Sequence, residues 1–380
     1  MSRRSVVCAS AAAAILLSAC SSLNPFARSA EKISPLPQFV QGAPIRVDWQ
    51  LGLAAAPNVA LQPAVVGDVV YAAGGDGTVV RIEGGKTVWR VDTGRKLSAG
   101  VGANQDLVTV VTAAGDVIAL DAGTGSVRWK EPVSAEVLAP PGLDSGVVVV
   151  RTSDNRLFGL AADDGKRRWV YQRATPPLAL RSYAGVLARD GVAVAGFPGG
   201  KLVAVKLSNG GALWELSVAT PRGSTELERV ADVVGTPVLY QRTLCAAAYQ
   251  GRIACFDATN GNVLWTRDIS SSVGIDRDGS QLYVTDEQGA VIALDASNGA
   301  SIWKQDRLAG RGTGRPLVVG GDIAVSDVEG HVYLLRREDG SLLARIATDG
   351  SQIRSDPLLL GRDAVVAQTV KGNVYAISSR

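Results

Sequence analysis

The sequence predicts an all-β fold, an eight-bladed β-propeller with four strands in each blade. Two observations support this prediction. The chain holds eight copies of a repeat of about 40 residues, and each copy contains four short apolar runs separated by polar turns. Residues 45–380 also contain no long stretch with helical periodicity. Short strands separated by turns at regular intervals are typical of all-β proteins, and repeats of this length form propellers.

Each repeat has a turn, an apolar strand, a polar turn with Gly, and a strand that carries Trp. The third repeat shows this as NRLFGLAADDGKRRW, from Asn155 to Trp169. The seventh repeat has Ala344 in the Trp position, and the eighth stops at Arg380 before its last strand. The repeats begin at Gly77, Gly115, Asn155, Gly200, Gly251, Gly289, Gly330 and Gly372.

The missing last strand is predicted to come from the other end of the chain. Of the seven Trp residues, six occupy repeat positions, and the seventh is Trp49 in PIRVDWQ. If this strand completes the final blade, the ring closes and no sheet edge is left open at the joint. Residues 45–380 are therefore predicted to form one closed domain, with the last blade closed by the N-terminal strand.

Residues 1–19 are predicted to be a secretory signal peptide, because a basic start precedes a short apolar stretch and small residues. The segment Leu17-Ser18-Ala19-Cys20 resembles the bacterial lipobox, which implies that Cys20 is lipidated; the alternative is an ordinary signal with an incidental Cys. Lipoproteins that stay at the inner membrane often carry Asp after the Cys. This chain has Ser21 there, so the resemblance implies the outer membrane. Residues 20–44 are predicted to be the lipidated Cys and a flexible tether, because they are rich in Pro and Ser and lack periodicity.

Charge and cysteine content limit the classes of partner and cofactor. The formal net charge is only +3, and the basic residues are scattered, which argues against nucleic acid. Cys245 and Cys255 flank a turn and are predicted to lie close together across a hairpin. They form either a disulfide or two buried free thiols. With no CxxC motif and a single His, a zinc site has little support.

The sequence predicts no catalytic residue, no metal site and no cofactor. The single His, His331, occupies a position that varies among the repeats, and we expect it to lie in a solvated turn. Asp276 and Asp278 resemble the start of a calcium loop, but Gln281 replaces the Gly that such a loop needs at its sixth position. A β-turn is the favoured interpretation.

The repeat itself is similar to that of quinoprotein alcohol dehydrogenases, which bind pyrroloquinoline quinone and calcium in a central funnel. This similarity gives the alternative function, a periplasmic quinoprotein-like enzyme or ligand-binding propeller. The chain has no vicinal Cys pair and no convincing calcium cluster, and fold alone does not decide function.

Over its whole length the chain resembles the BamB family, propeller lipoproteins of the outer-membrane β-barrel assembly (BAM) machinery. The most specific part of this resemblance lies in two overlong repeats. The distances from their starts to the start of the next repeat are 45 and 51 residues. The first contains Leu178-Ala179-Leu180-Arg181, which matches the family's Leu-x-Leu-Arg segment. The second contains Gly223 to Asp232, GSTELERVAD, which is similar to the family's GSTE loop and the acidic segment after it.

In that family the two segments contact the periplasmic POTRA domains of BamA, the barrel subunit. The resemblance therefore implies that Leu178 and Leu180 are apolar anchors and that Arg181 and Asp232 pair with charges on BamA. For the two Leu residues the alternative is a pair packed in the core. For Arg181 and Asp232 it is an ordinary surface charge or a salt bridge between blades. Val234 departs from the family pattern, which has a second acidic residue there.

The resemblance implies a non-catalytic scaffold on the periplasmic face of the outer membrane, held by a lipid anchor. It would belong to the BAM complex and aid the folding and insertion of outer membrane proteins. Capture of nascent barrel strands at blade edges is a further expectation. A surface adhesin that uses the propeller rim is a third alternative.

Overall fold

The structure, a computed structural model, describes residues 33–174 and 176–379. The predicted signal peptide, Cys20 and residues 21–32 lie outside the described residues. Thirty-two strands form eight antiparallel sheets of four strands each, which confirms the predicted eight-bladed propeller. Within the described residues, no helix is both long and apolar enough to cross a membrane.

The strands of each blade follow one another in the chain, except in the last blade. The first two blades contain β2 (Ala64–Val66), β3 (Val69–Ala73), β4 (Thr78–Glu83) and β5 (Lys86–Asp92), then β6 (Gly102–Ala103), β7 (Leu107–Val111), β8 (Asp116–Asp121) and β9 (Val127–Pro132). Blades 3 and 4 contain β10 (Gly142–Asp144), β11 (Val147–Arg151), β12 (Arg156–Ala161) and β13 (Arg167–Gln172), then β14 (Val186–Arg189), β15 (Val192–Phe197), β16 (Lys201–Lys206) and β17 (Ala212–Ser217). Blades 5 and 6 contain β18 (Val233–Tyr240), β19 (Thr243–Ala248), β20 (Ile253–Asp257) and β21 (Val263–Arg267), then β22 (Ile275–Arg277), β23 (Gln281–Thr285), β24 (Val291–Asp295) and β25 (Ser301–Gln305). Blades 7 and 8 contain β26 (Leu317–Val319), β27 (Asp322–Ser326), β28 (His331–Arg336) and β29 (Leu342–Ala347), then β30 (Leu358–Leu360), β31 (Ala364–Gln368), β32 (Asn373–Ser378) and β1 (Arg46–Gly52).

The N-terminal strand closes the ring, as the position of Trp49 predicts. Strand β1 pairs antiparallel with β32, from Arg46 opposite Ser378 to Gly52 opposite Asn373. The sheet order is β1-β32-β31-β30, so the first strand of the chain is the outer strand of the last blade.

The middle strands are apolar because both of their faces are buried between neighbouring blades. In β11 every residue is buried. Val148 and Val150 pack in the cluster shared with blade 2, whereas Val147 and Val149 pack in the cluster shared with blade 4. A strand covered on both faces needs a continuous apolar run rather than alternation, which explains the sequence VVVV.

Five of the repeated Trp residues bond to the next blade through their indole N–H groups. Trp129, for example, donates its indole N–H to the Ala162 carbonyl in the turn between β12 and β13 (2.9 Å). Its ring covers Gly165 (φ +76°), where an added Cβ would lie 2.6 Å from the ring, so only Gly fits. Equivalent indole bonds join Trp89 to Ala122, Trp169 to Leu207, Trp265 to Ala296 and Trp303 to Arg337.

The exception at Ala344 has a physical explanation. A Trp there would need a turn in blade 8 between β32 and β1, and these two strands are opposite ends of the described chain rather than a hairpin. Ala344 is fully buried instead, in a cluster covered by Ala43 and Ile45 from the segment before β1.

The predicted flexible tether ends earlier than expected. The Gly42 amide donates to the Leu343 carbonyl of β29 (2.8 Å), and the Arg345 guanidinium donates to the Pro37 carbonyl (3.1 Å). Pro37 is buried and Phe39 is half-buried. Residues 37–45 are therefore part of the folded structure, which composition alone does not reveal.

Candidate partner-binding surface

The two overlong repeats place their extra residues in two blade-to-blade connections. Residues 173–185 join β13 to β14, and residues 218–232 join β17 to β18. Both connections run from an outer strand to the next inner strand, so they emerge on the same face of the ring. Between them lies a cavity of about 260 Å³, lined by Pro176, Pro177, Leu178, Gly199, Pro221, Glu226, Arg229 and Asp232.

Leu178 and Leu180 lie on this surface and not in the core. Their side chains are 40% and 36% exposed, and neither residue belongs to a strand. Leu178 lines the cavity between the two connections, whereas Leu180 and Arg181 line a second cavity of about 350 Å³, to which connections of several blades contribute. Both Leu side chains are therefore accessible to a partner on this face of the ring.

Arg181 forms a salt bridge with Glu136 from the connection between blades 2 and 3, at 2.6 Å. The Arg181 and Glu136 side chains are 56% and 42% exposed. The Glu136 carboxylate raises the pKa of Arg181, so this guanidinium stays charged. An exposed pair of this kind contributes about 1 kcal/mol or less, so Arg181 can exchange its partner at small cost.

Asp232 is buried, which differs from the expectation that it offers a charge to a partner. It is only 2% exposed. One carboxylate oxygen accepts the Leu180 N–H at 2.6 Å, and the other accepts the Gly199 N–H at 3.1 Å. The carboxylate thus joins the segment that carries Leu178 and Leu180 to blade 4. Its contact with Leu180 brings together residues that lie 52 positions apart in sequence.

A buried arginine lies near this carboxylate. Arg151 ends β11, is 9% exposed and places its guanidinium over the Phe197 ring, 5.5 Å from the centroid. Burial lowers the pKa of Arg151 to about 10, and the negative charge of Asp232 opposes that shift. The sequence does not indicate that Arg151 is buried near Asp232, because Arg151 occupies an ordinary strand end.

The GSTE segment forms a compact local turn. The Glu228 carboxylate accepts the N–H groups of Ser224 (2.7 Å) and Thr225 (3.1 Å), which lowers the pKa of Glu228. Arg229 donates to the Gly223 carbonyl at 3.1 Å. This arrangement leaves Leu227 71% exposed. Val234 is only 4% exposed, at the start of β18.

Other sequence features have structural roles. Cys245 and Cys255 face each other on β19 and β20 and are joined by a disulfide. Asp278 begins the turn between β22 and β23, and its carboxylate accepts the Ser280 and Gln281 N–H groups, as the β-turn interpretation predicts. The expectation of a solvated His331 is wrong, because its side chain is 15% exposed and its ring lies 3.2 Å from the Asp327 carboxylate.

A cluster of Asp327, Glu329 and His331 places its ligand atoms within 4.8 Å of one another. A guanidinium already lies between these groups, because the fully buried Arg311 donates to both Asp327 and Glu329. Burial alone would raise the pKa of Asp327, but bonds from the His331 amide, Arg311 and Tyr333 lower it. The arrangement is an ion-pair network in which Arg311 and Asp327 are buried and Glu329 reaches the solvent.

Comparison with known proteins identifies the family. The family model described as outer membrane protein assembly factor BamB matches residues 75–305 and 293–380. The chain belongs to the BamB family. A BamB from Nitrosomonas eutropha is 45% identical over 339 residues, which cover 88% of this chain and 82% of that relative. A BamB from Bordetella pertussis is 38% identical over 366 residues, with 95% and 94% covered.

Solved structures agree with this assignment. The crystal structure of BamB from Moraxella catarrhalis superposes with a TM-score of 0.82 at 28% identity, covering 88% of this chain and 99% of that one. A quinohemoprotein alcohol dehydrogenase from Pseudomonas putida has a TM-score of 0.71 at 13% identity, with 92% and 78% covered. The second similarity shows a shared propeller fold and nothing more. The function of this protein is therefore considered from the BamB family and not from the dehydrogenases.

Proposed function

We propose that this protein is a non-catalytic scaffold lipoprotein of the outer-membrane β-barrel assembly complex that binds the POTRA domains of BamA. The observation that carries the proposal is the surface segment Leu178–Arg181, which exposes two Leu side chains and one Arg side chain. The buried Asp232 carboxylate holds this segment through the Leu180 N–H. The segment matches the family's Leu-x-Leu-Arg motif, and family membership supports the role in outer membrane protein assembly.

The chemistry of the surface fits a protein partner. Leu178 and Leu180 supply apolar area that a partner can bury, and a few buried anchors of this kind dominate the affinity of most interfaces. Arg181 supplies a charge that gives orientation, because it can exchange the exposed Glu136 for a carboxylate of the partner. Asp232 acts as a positioning residue, since its oxygens are occupied within the chain.

The lipid anchor and the location are part of the same proposal. Cys20 follows a lipobox-like segment, and three acyl chains exceed what stable anchoring needs. The protein would then be tethered to the outer membrane on its periplasmic face. Incorporation of labelled palmitate that is lost in Cys20→Ala checks this part by itself.

The partner-binding part is tested by the affinity of the purified protein for the BamA POTRA domains. We expect Leu178→Ala combined with Leu180→Ala to weaken binding by roughly 30-fold or more, since each truncated anchor costs about 1 kcal/mol or more. Arg181→Ala adds a smaller, salt-dependent loss.

The matched control is Leu264→Ala, because Leu264 is 50% exposed on the outer strand of blade 5, away from the two connections. It should bind like wild type. Undiminished binding by the double variant would refute the site. A large rise in melting temperature with pyrroloquinoline quinone and calcium would favour the quinoprotein-like alternative instead.

A further inference from the structure

The segment before β1 is fixed to the rim of blade 7, and we refer to residues 37–45 as the strap. Its backbone forms bonds with blade 7, from the Gly42 N–H to the Leu343 carbonyl (2.8 Å) and from the Arg345 guanidinium to the Pro37 carbonyl (3.1 Å). The Gln41 side chain donates to the Arg345 carbonyl (3.0 Å). These bonds involve residues about 300 positions apart, so the strap is a tertiary element.

Apolar contacts accompany these bonds. Phe39 packs against the cluster that contains Trp303 and Leu342, at the junction of blades 6 and 7. The Arg345 guanidinium lies 5.7 Å from the centre of the Phe39 ring, a cation–π contact. Val40, by contrast, is 91% exposed, so the strap has one buried and one solvated side.

The start of the strap lies at the connection between blades 6 and 7. Arg307, which follows β25, donates from its guanidinium to the Gln38 carbonyl. This connection is of the same type as those that carry Leu178 and Asp232, and all such connections emerge on one face of the ring. The strap therefore begins on the face that carries the candidate partner-binding surface, about three blades away.

Ring closure does not explain the strap, because β1 begins only at Arg46, after the strap ends. We propose that the strap fixes the exit point of the lipid tether at the junction of blades 6 and 7 and so holds that side of the propeller nearest the membrane. The proposal rests on the lipidation of Cys20 proposed above. Its partner is the lipid bilayer, which the anchor binds.

The short chain between Cys20 and the strap limits how far the junction of blades 6 and 7 can lie from the membrane. Between Cys20 and Pro37 the tether spans 17 residues. A chain of that length cannot span more than about 58 Å, whatever its conformation. A tether this short, attached to one side of the ring, keeps that side closer to the bilayer than the opposite side.

The first experiment tests docking of the strap in the full chain in detergent. Spin labels at Val40→Cys on the strap and at Asp163→Cys on blade 3, two exposed positions, report their separation by pulsed electron paramagnetic resonance. A docked strap gives a single narrow distance distribution. Phe39→Ala with Arg345→Ala should broaden it, and Gln38→Ala should not, because Gln38 contributes its main-chain carbonyl.

The second experiment tests orientation in vesicles. The lipidated protein, labelled at Asp306→Cys or at Ser134→Cys, is reconstituted with an energy acceptor on the lipid head groups. Asp306 is an exposed residue in the connection between blades 6 and 7, and Ser134 lies in the connection between blades 2 and 3, on the opposite side of the ring. Transfer should be higher from Asp306, and this difference should disappear when the strap is released.

Equal transfer from the two positions in the wild-type protein would overturn the proposal. A difference that persists after the strap is shown to be released would overturn it as well. Should the double variant fail to fold, Arg307→Ala removes one strap bond and should reduce the difference. Loss of palmitate incorporation, with docking unchanged, would instead refute the lipid anchor of the proposed function.

Discussion

Replacement of Asp232 by Asn should weaken partner binding by releasing the segment that carries Leu178 and Leu180. The carboxylate accepts two backbone N–H groups, from Leu180 and Gly199, and is 2% exposed. Asn keeps one acceptor oxygen and presents an NH₂ group to the other N–H, so at least one bond is lost. The buried Arg151 guanidinium also loses its negative neighbour.

The magnitude follows from these contacts. A hydrogen bond to a charged group contributes about 1.5–3 kcal/mol, and an unpaired buried donor adds to its loss. A loss of about 2 kcal/mol, if it acts wholly on the docked state of the segment, shifts the ratio of docked to released segment by roughly 30-fold. Because binding requires the docked segment, that factor is the upper limit for the rise in Kd.

The assay compares the affinity for the BamA POTRA domains with the free energy of unfolding in urea. We expect Asp232→Asn to raise Kd by about 3- to 30-fold while the propeller remains folded. Asp163→Asn is the control, because Asp163 is 80% exposed in the turn between β12 and β13, outside the two connections. Its Kd should stay within about twofold of the wild-type value. Wild-type affinity for Asp232→Asn would refute the positioning role, and so would a loss of affinity equal to that of Asp163→Asn.

Three further predictions concern the stability of the propeller. Deletion of residues 46–51 removes the strand that closes the ring, together with several hydrogen bonds of about 1 kcal/mol each. This loss should lower the melting temperature by roughly 10 °C in a single transition. A wild-type melting temperature would disprove closure by β1. Reduction of the bond between Cys245 and Cys255, which are 10 residues apart, should cost about 3 kcal/mol of unfolding free energy, and the double Ala variant should no longer respond to reductant. Burial alone would raise the pKa of Asp349, but hydrogen bonds, first from Asn373, lower it below 3.8. Its contribution to stability is therefore complete above about pH 4 and lost as the pH falls through the folded pKa, so Asp349→Asn should flatten the acid side of the stability curve measured by urea titration; an unchanged acid limb would contradict this reasoning.

The sequence was sufficient to predict the architecture, because the apolar runs, turns and Trp positions of each repeat depend on local contacts within a blade and with its neighbour. Each Trp position predicts an outer strand, and the odd Trp49 predicts which strand closes the ring. The exception at Ala344 is visible in the sequence, yet its reason is not. That reason is the absence of a hairpin in blade 8, which becomes apparent only when both ends of the chain are placed.

For the candidate surface, too, some features can be found from the sequence and others only from the structure. The overlong repeats and the Leu-x-Leu-Arg segment can be found from sequence, and both Leu side chains are exposed as a contact role requires. The sequence cannot show that Asp232 is buried, because an acidic residue in a long loop is usually solvated. Its burial depends on the N–H of Leu180, a residue 52 positions away.

Sequence by itself therefore determined the fold class, the number of blades, the closing strand and the position of the two long connections, because these depend on periodic patterns within each repeat. Tertiary structure alone decided which charges are buried, that Arg181 already has Glu136 as a partner, and that the strap is docked on blade 7. The physical reason is that these features depend on single contacts between distant parts of the chain. Such contacts leave no periodic pattern in the sequence.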